Sequence, residues 1–420
     1  MPTLQPVRGT RDILAEEARR FRRVEDQGRA VAARYGFAEV ATPVFEFAEV
    51  FERTLGETSD IVTKEMYTFT DKGGDRITLR PEGTAGIARA VISGGLAQEA
   101  PLKLFYAGPM FRYERPQKGR YRQFHQIGIE LIGVAEPAGD VEVIALGWSV
   151  LEALGVADKI ALELNTLGNA ASRAAYRELL VRYLESHRGK LSADSIARLE
   201  RNPLRILDSK DHGDRAVIGD APLFTDSLDE ESRDFFAEVQ GGLDALGIPY
   251  VVSPRLVRGL DYYCHTAFEF TTEALGAQGT VLAGGRYDGL IAAMGGPEIA
   301  GVGWAAGIER LSMLIDPPPA PRPIALIPVG ERAEKAALAL GRDLRRQGFA
   351  VELGYRGNIK RRLARANKLH ARAAIILGDD EIARGTATLR DFDTGEQSEV
   401  ALAALPERLA RFRGAAGDGA

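Results

Sequence analysis

Apolar residues recur at helical spacing close to the start of the chain. The positions that carry this repeat are Phe21, Val24, Gly28, Val31 and Tyr35. Steps of three or four residues place apolar side chains on one face of an α-helix. The spacing therefore predicts a helix over Ala15–Tyr35 with one side turned toward a core.

Short strand patterns follow this helix, separated by turn residues. The runs are Phe37–Val44, Met66–Thr70, Arg76–Leu79, Leu102–Ala107 and Gln123–Ile132. Pro43 indicates that the first run ends there or lies at a sheet edge, and Asp71-Lys-Gly-Gly74 is a turn signal. Short connections between neighbouring strands favour an antiparallel sheet over repeated βαβ units.

The pattern becomes helical between about residues 165 and 250. The predicted helices are Arg173–His187, Ala193–Leu199 and Asp229–Leu246. Strand patterns return at Val251–Val257, Ala267–Thr271 and Thr280–Ala283. This order predicts an antiparallel-sheet domain over residues 1–318 that contains a helical insertion at about residues 167–248.

A proline-rich stretch separates that domain from the rest of the chain. Prolines favour an extended backbone, so residues 319–323 are expected to form a stiff linker. Beyond the linker lie a predicted helix near Glu331–Gln347 and apolar runs at Ile324–Val329, Ala350–Leu353 and Ala373–Leu377. They predict a small α/β domain with a parallel sheet over residues 324–413, before a tail at 414–420. The fold class of the whole chain is therefore predicted to be α+β.

Composition narrows the functional classes. The 420 residues suffice for two or three domains, and 45% hydrophobic with 27% charged residues is ordinary for a globular protein. Cys264 is the single cysteine, which excludes an internal disulfide framework and fits a reducing, cytoplasmic compartment. We expect no secretion signal and no membrane span, because no suitable apolar run occurs. The formal charge of −5 means that any nucleic acid must be met by local basic patches.

The segment from Phe111 to Glu130 carries the clearest chemical signal. Read as two strands around a loop, its second strand alternates between an apolar face and a face of mixed chemistry. The apolar face holds Ile127, Ile129 and Leu131, and the other face holds Phe124, Gln126, Gly128 and Glu130. An aromatic ring, an amide, an empty position and a carboxylate on one face are typical of a small-molecule pocket.

Charged residues accompany this pocket face. Arg112 and Glu114 are expected to share a face of the first strand. The loop adds Arg115, Lys118, Arg120 and Arg122, a concentration of charge suited to phosphate. A solvated charged hairpin is the alternative interpretation, but the adjoining alternation favours a binding site.

These residues resemble a known family. The segment Phe111–Gln126 resembles motif two of the class II aminoacyl-tRNA synthetases, in the form found in the histidyl-tRNA synthetases. Other segments resemble that family's amino-acid-binding loop, its histidine-specific motif and motif three. They are Leu79-Arg-Pro-Glu-Gly-Thr-Ala-Gly86, Leu256-Val-Arg-Gly-Leu-Asp-Tyr-Tyr263 with Ala283-Gly-Gly-Arg-Tyr-Asp-Gly289, and Gly301-Val-Gly-Trp-Ala-Ala-Gly-Ile-Glu-Arg310. The resemblance starts at Arg8-Gly-Thr-Arg-Asp12 and covers essentially the whole chain.

The resemblance implies ATP-dependent activation of histidine, followed by its transfer to histidine tRNA. Arg112 and Arg258 would contact the α-phosphate from two sides, and Arg310 would hold the γ-phosphate together with Mg²⁺. Phe124 would stack on adenine with Arg310 on the opposite ring face. Glu114 would read the adenine, and Arg120 would make a further phosphate contact.

The resemblance also implies a pocket for the histidine side chain. Glu130 would accept a hydrogen bond from one ring nitrogen, and Tyr263, beside Tyr262, would meet the other. The ammonium group would be held by Glu82, Thr84 and Gln126, with Tyr287 closing the pocket. Ordinary salt bridging is the better interpretation of Glu82 or Glu130 alone, but both stand inside matched motifs.

Further implications concern tRNA and the partner subunit. Arg115 and Gln117 match the loop that reaches the acceptor end of the tRNA, and Arg361, Arg365 and Lys368 lie on one face of a basic helix in the resembled anticodon-binding domain. A solvated basic face is the alternative for that helix. The family is dimeric, which implies a homodimer with the region around Pro43 at the interface.

Other classes of function are less favoured. The five histidines are scattered, so no zinc site built from histidine and cysteine is expected. A histidine-binding regulatory paralogue of ATP phosphoribosyltransferase would resemble the catalytic domain alone and would lack the ATP-binding arginines that this chain retains. A non-catalytic RNA-binding protein would need neither the imidazole nor the phosphate residues.

Overall fold

The computed structural model describes residues 3–56, 59–209, 211–257 and 262–413. The chain divides into two compact units, Met1–Pro318 and Pro319–Ala420. Within the described ranges, no helix combines the length and the apolar character that crossing a bilayer demands.

The first unit contains eleven described strands in two sheets. In chain order they are β1 (Ala38–Glu39), β2 (Phe45–Phe47), β3 (Tyr67–Thr70), β4 (Arg76–Leu79), β5 (Leu102–Phe111), β6 (Gln123–Ile132), β7 (Ala161–Thr166), β8 (Val251–Val252), β9 (Cys264–Thr271), β10 (Thr280–Arg286) and β11 (Gly301–Gly307). The larger sheet has the order β1-β5-β6-β11-β10-β9-β7-β8, and the smaller has the order β2-β4-β3. All pairings are antiparallel except those of the short edge strands β1 and β8. The predicted antiparallel sheet is confirmed.

Ten described α-helices surround these sheets. They are α1 (Ala15–Arg34), α2 (Ala48–Leu55), α3 (Thr84–Ser93), α4 (Pro137–Ala153), α5 (Ala170–Ser186), α6 (Ala193–Arg201), α7 (His212–Gly219), α8 (Glu230–Leu246), α9 (Leu290–Ala293) and α10 (Ile308–Leu314). Helix α1 buries Phe21, Val24 and Val31, as its apolar repeat predicts. Helices α5 to α8 follow one another between β7 and β8, where the helical insertion was expected.

The main core lies on one face of the larger sheet. Ile127, Ile129 and Leu131 of β6 are fully buried there against α1, α4 and α10. The opposite face of β6 meets a second, smaller buried cluster that includes residues of α3 and α9. The alternation in the sequence therefore assigns the two faces of this strand correctly.

The second unit is a five-stranded sheet with helices. Its strands are β12 (Ile324–Val329), β13 (Val351–Leu353), β14 (Ala373–Gly378), β15 (Thr386–Asp391) and β16 (Gln397–Ala401), in the order β13-β12-β14-β15-β16. Its helices are α11 (Glu331–Arg346), α12 (Ile359–Lys368), α13 (Asp379–Arg384) and α14 (Leu405–Arg408).

Three differences from the sequence predictions have local causes. The sheet of the second unit is mixed, because β15 and β16 form a hairpin that pairs antiparallel to β14. The run Val251–Val257 pairs only at Val251–Val252, since Pro254 follows and has no N–H to donate. The run Phe37–Val44 forms a strand only at Ala38–Glu39, ahead of Pro43.

Candidate active site

A cavity of about 270 Å³ opens on the face of β6 opposite the main core. It is walled by the start of α3, the loop between β5 and β6, and strands β6, β10 and β11. Residues singled out in the sequence that line it are Glu82, Thr84, Arg112, Glu114, Arg120, Phe124, Gln126, Tyr262, Tyr263, Tyr287 and Arg310. Side chains from five separate segments thus meet in one cavity.

Glu82 is fixed at the start of α3. Its carboxylate accepts the backbone N–H groups of Thr84, at 2.6 Å, and Ala85, at 2.9 Å. These bonds satisfy donors that a helix N-terminus otherwise leaves open. The side chain is buried, and burial raises the pKa of this carboxyl. A buried carboxylate held so firmly is suited to a cationic group in the cavity.

Glu130 does not itself line the cavity but lies behind the lining at the same end, where its carboxylate bonds to the lining residues Thr84 and Tyr287. One carboxylate oxygen accepts the Thr84 hydroxyl at 2.7 Å, and the other accepts the Tyr287 hydroxyl. Only 1% of Glu130 is exposed, and burial raises its pKa to about 8 despite these two hydrogen bonds. A Cβ at Gly303 would collide with this carboxylate, so the neighbouring strand leaves room for it by having no side chain.

Tyrosine side chains enclose this end of the cavity. The rings of Tyr262 and Tyr287 meet edge to face with centroids 5.9 Å apart, and those of Tyr262 and Tyr263 lie 4.7 Å apart. Burial raises the pKa values of Tyr262 and Tyr287 well above the ordinary value. Both hydroxyls therefore keep their protons at neutral pH, and Tyr287 donates its proton to Glu130.

Arginines gather at the other end. Arg112 donates to the Pro81 carbonyl at 2.8 Å, and its guanidinium lies 5.4 Å from the centroid of the Phe124 ring. Arg310 donates to the Thr280 carbonyl at 2.6 Å, and Arg120 forms an ion pair with Glu114. Burial, followed by the positive charge of Arg120, lowers the pKa of Arg310. An anionic ligand would relieve this mutual repulsion.

Glu309 is a site residue that the sequence interpretation missed. Its two carboxylate oxygens each lie 3.0 Å from the backbone nitrogen of His125, and one lies 3.0 Å from the imidazole Nδ1. This contact joins the start of α10, which carries Arg310, to β6, which carries Phe124. Its position beside Arg310 is the only sequence signal that could have identified it.

A buried ion pair between Arg286 and Asp140 was also missed. Both side chains are fully buried, and the Arg286 guanidinium also donates to the Val134 carbonyl at 2.9 Å. Arg286 ends β10 and directly precedes Tyr287, so the pair ties the pocket tyrosine to α4. The sequence places Arg286 in a motif, but it gives no sign that Asp140, 146 residues away, is its partner.

Comparison with known proteins agrees with this arrangement. A family model described as histidyl-tRNA synthetase matches residues 9–311 of the chain. The chain belongs to the histidyl-tRNA synthetase family. A second model, described as an anticodon binding domain, matches residues 324–411. The fold class and the family predicted from the motifs are therefore confirmed.

Individual members of the histidyl-tRNA synthetase family match nearly end to end. The histidine–tRNA ligase of Rhodospirillum rubrum is 64% identical, covering 98% of this chain and 100% of the relative. The crystal structure of apo histidyl-tRNA synthetase from S. aureus matches with a TM-score of 0.82 at 36% identity, over 97% of this chain and 99% of that chain. A structure from Bacillus halodurans described as an ATP phosphoribosyltransferase regulatory subunit/histidyl-tRNA synthetase has a TM-score of 0.66 at 24% identity, over 90% of this chain and 99% of that chain, which shows the fold alone.

The structure does not show every residue predicted for the site in the cavity lining. Arg258 falls outside the described residues. Strand β5 ends at Phe111, so Arg112 and Glu114 lie in the loop and not on the strand as predicted. Arg115 and Gln117 are exposed on the outer part of that loop, away from the cavity lining. Of the loop cations other than Arg112, only Arg120 lines the cavity.

The basic helix of the second unit is α12. Arg361, Arg365 and Lys368 are exposed on it, while Ala366 is buried against the sheet. Arg365 pairs with Glu352 of β13 at 2.7 Å. A further basic residue, Arg372, lies beyond the end of α12 and directly precedes β14.

Proposed function

We propose that this chain activates L-histidine with ATP and transfers the histidyl group to the 3′ end of histidine tRNA. The observation that carries this proposal is the difference in chemistry between the two ends of one cavity. Glu130, Thr84 and Tyr287 form a buried hydrogen-bonded network at one end, and Arg112, Arg120 and Arg310 gather at the other. The first end suits an imidazole and an ammonium group, and the second suits a triphosphate.

Histidine is recognised through both nitrogens of its ring. Glu130 accepts the hydrogen bond of one ring N–H, and the Tyr263 hydroxyl meets the other nitrogen. A competing apolar side chain would leave these groups buried without partners, a mismatch that costs roughly 10⁴-fold in specificity.

The ammonium group of histidine binds beside Glu82 and Thr84. Gln126 supports this assignment because its buried Oε1 has no hydrogen-bond partner among the described residues. An acceptor left open in this way is satisfied by an ammonium N–H. Tyr287 and Tyr262 close the pocket over the side chain.

Activation requires no nucleophile from the protein. The histidine carboxylate attacks the α-phosphorus of ATP, its oxygen forms the new P–O bond, and pyrophosphate leaves. Arg112 and Arg258 stabilise the charge on the α-phosphate oxygens, and Arg310 holds the γ-phosphate. Positioning and fixed positive charge account for such a reaction.

The nucleotide base binds against Phe124. Arg112 already lies over one side of this ring, and Arg310 borders the same cavity. Glu114 accepts from the adenine amino group, and Arg120, its ion-pair partner, turns toward the phosphates when ATP binds.

Mg²⁺ accompanies ATP in this proposal. The cavity lining includes Glu269, which also accepts the Thr280 hydroxyl at 2.8 Å. Mg²⁺ prefers oxygen ligands and commonly takes one or two carboxylates together with substrate phosphates, so Glu269 fits it. Within the described part of the chain, no group of three or more acidic, histidine or cysteine side chains could hold a metal alone. Bound Mg²⁺ neutralises phosphate charge.

Transfer uses a terminal ribose hydroxyl of the tRNA, which attacks the carbonyl carbon of the adenylate and releases AMP. Arg115 and Gln117 contact the acceptor end, because they are exposed on the loop whose other residues Arg112 and Arg120 line the cavity. Arg361, Arg365 and Lys368 of α12 contact phosphates of the anticodon arm. Such contacts position the tRNA without reading its bases.

A homodimer is part of the proposal. Phe45 and Phe47 of β2 and Phe69 of β3 are 58%, 53% and 48% exposed on the small sheet that follows Pro43. Phe47 and Phe69 both pair with Ile77, so their side chains form one apolar strip. Contiguous apolar surface of this kind is typical of a subunit interface.

The regulatory alternative is not favoured. The chain is 64% identical to a histidine–tRNA ligase but 24% identical to the protein that carries the regulatory description. It also has Arg112 and Arg310 in the cavity and a second unit that matches an anticodon-binding domain. We assign the reaction to the cytoplasm, because a chain with one cysteine needs no oxidising compartment.

The test is charging of histidine tRNA. Purified protein is incubated with ATP, Mg²⁺, labelled histidine and a histidine tRNA transcript, with a transcript for another amino acid as the control. We expect label to enter the histidine tRNA alone. Binding of histidine without any charging would contradict the ligase assignment and favour the regulatory function.

A further inference from the structure

The segment before α1 packs against the loop between β5 and β6. We name residues 7–12 the N-terminal clamp. Within it, the Val7 carbonyl accepts the backbone N–H of Thr10 at 2.9 Å and its hydroxyl at 2.7 Å. This turn presents the carbonyls of Arg8 and Gly9 to the loop.

Arg122 donates hydrogen bonds to both carbonyls. Its backbone N–H donates to Gly9 at 2.8 Å, and its guanidinium donates to Arg8 at 3.3 Å. The same guanidinium donates to the Glu114 carbonyl at 3.2 Å and lies 3.8 Å from the centroid of the Tyr113 ring. The Arg122 carbonyl accepts the Arg112 N–H at 2.9 Å. Arg122 therefore connects the clamp to Arg112, Tyr113 and Glu114, the first three residues of the loop.

A second contact holds the loop at Tyr121, the residue before Arg122. The Arg11 guanidinium lies 4.3 Å from the centroid of the Tyr121 ring, a distance at which a cation is attracted to an aromatic face. Arg11 also forms an ion pair with Glu17 in the first turn of α1. The loop is thereby tied to a helix that packs in the main core.

Gly9 is the closest approach between the two segments. A Cβ there would lie 2.7 Å from Arg122 Cγ, 2.8 Å from Arg122 Cδ and 3.0 Å from Pro116 Cγ. Its φ of +88° is also one that L side chains rarely adopt. Gly9 therefore permits the clamp to lie directly against Arg122 at the end of the loop and Pro116 near its middle.

We propose that the N-terminal clamp is a positioning element for the reaction, which holds Arg112, Glu114 and Arg120 of the loop toward the ATP end of the cavity. This inference rests on the proposed function. Neither Gly9 nor Arg122 lines the cavity, so both act through the loop. The histidine end of the cavity is built from α3, β6 and Tyr287, whereas the clamp's hydrogen bonds to Arg122 and its ring contact with Tyr121 end on the loop.

The kinetic test compares Gly9→Ala with Gly155→Ala. Gly155 also has a positive φ, +70°, but a Cβ there meets nothing within 4 Å. A displacement of about 1 Å in a positioning group reduces rates on the order of 10²-fold. We expect Gly9→Ala to lower kcat/KM for ATP in pyrophosphate exchange by about 10- to 100-fold. The Kd for histidine, measured without ATP, should stay unchanged.

The control Gly155→Ala should change neither quantity. Equal kcat/KM values for ATP in the two variants would overturn the proposal. So would a parallel loss of histidine binding in Gly9→Ala, because it would mean general disruption of the cavity.

A double mutant tests whether the contact is the cause. Arg122→Ala removes both the hydrogen bond to Arg8 and the two side-chain atoms that a Cβ at position 9 would approach most closely, Arg122 Cγ and Cδ. We expect it to reproduce the loss seen in Gly9→Ala, and we expect the double variant to be no worse than Arg122→Ala. If the losses in kcat/KM of the two single variants multiplied in the double variant, the two substitutions would act independently. That result would contradict the proposed role of the clamp.

Hydrogen exchange tests the contact between the clamp and the loop independently of the proposed function. The amide of Arg122 is bonded to Gly9, so Gly9→Ala should accelerate exchange in the peptide covering residues 113–122, while Gly155→Ala should not. Unchanged exchange in that peptide would overturn the clamp, whatever reaction the protein catalyses. Absence of histidine-dependent activity in the wild type would instead contradict the proposed function.

Discussion

Glu130 is a buried ionisable group directly behind the cavity lining. Burial raises its pKa to about 8, and Thr84 and Tyr287 both donate to its carboxylate. The free protein therefore holds a proton on this group at neutral pH. A neutral imidazole that donates its N–H to Glu130 requires the carboxylate, so its binding must displace that proton.

This linkage predicts the pH dependence of histidine binding. Because the pKa of Glu130 is raised, proton release favours binding as pH increases, and affinity should rise roughly fivefold between pH 7 and pH 8. Calorimetry in buffers of different ionisation enthalpy would detect the released proton. Glu130→Gln should bind histidine weakly and release no proton, whereas exposed Glu99→Gln should behave as wild type. Histidine affinity that is flat across this range would contradict the assignment.

Single residues were predictable where a motif carried them. Glu82, Arg112, Phe124 and Arg310 could be singled out because they stand in recognisable segments. Glu309 and Asp140 could not, because each acts through a partner more than 140 residues away that no local pattern reveals. The cavity needs both kinds of residue. The sequence therefore identifies the residues that carry the chemistry more readily than the residues that hold them in position.

Secondary structure was predictable where one face is buried. The alternation of β6 and the repeat of α1 both have a clear apolar side, and both elements were found close to their predicted bounds. Helix α4 was missed because it is apolar around most of its circumference and shows no helical period. The β15–β16 hairpin was missed because its outer strand is mostly exposed and polar.

Helix α4 also carries a prediction about stability. Asp140 of α4 neutralises Arg286 of β10 inside the protein, and removing one partner of a buried ion pair costs about 3–5 kcal/mol. We expect Asp140→Ala to lower the free energy of unfolding of the first unit by that amount. Tryptophan fluorescence in denaturant reports on this unit, because Trp148 and Trp304, the chain's two tryptophans, both belong to it.

The matched control for this variant removes an exposed pair. Arg53 and Glu49 lie on the surface of α2 with side chains that are 56% and 63% exposed. Exposed pairs contribute less than about 1 kcal/mol, so Glu49→Ala should leave the unfolding midpoint nearly unchanged. A shift of equal size in the two variants would contradict the structural role of the Asp140–Arg286 pair.

At the scale of the whole molecule, the proposed function gives both units a part in binding one tRNA. The net charge of −5 gives no general attraction for nucleic acid, so the proposed tRNA binding depends on local basic surfaces such as α12. The proposed dimer depends on another local surface, the apolar strip of Phe47, Ile77 and Phe69. Composition shows neither surface, because each is formed by a few side chains on a particular face.

The apolar strip predicts the oligomeric state. The wild-type protein should sediment as a dimer. Phe47→Asp places a charge in the strip and should shift the protein to the monomer, whereas Leu338→Asp, at a position that is 61% exposed on α11, should remain dimeric. A wild-type monomer, or a dimer that survives Phe47→Asp, would contradict the proposed interface.

The measurement that tests the central claim most directly is amino-acid-dependent ATP–pyrophosphate exchange by the purified chain. Exchange reports on activation alone and needs no tRNA, so it examines the cavity by itself. With each of the standard amino acids supplied in turn, exchange should occur with histidine and stay at background with the others. Exchange with a different amino acid, or none with histidine although histidine binds, would contradict the account.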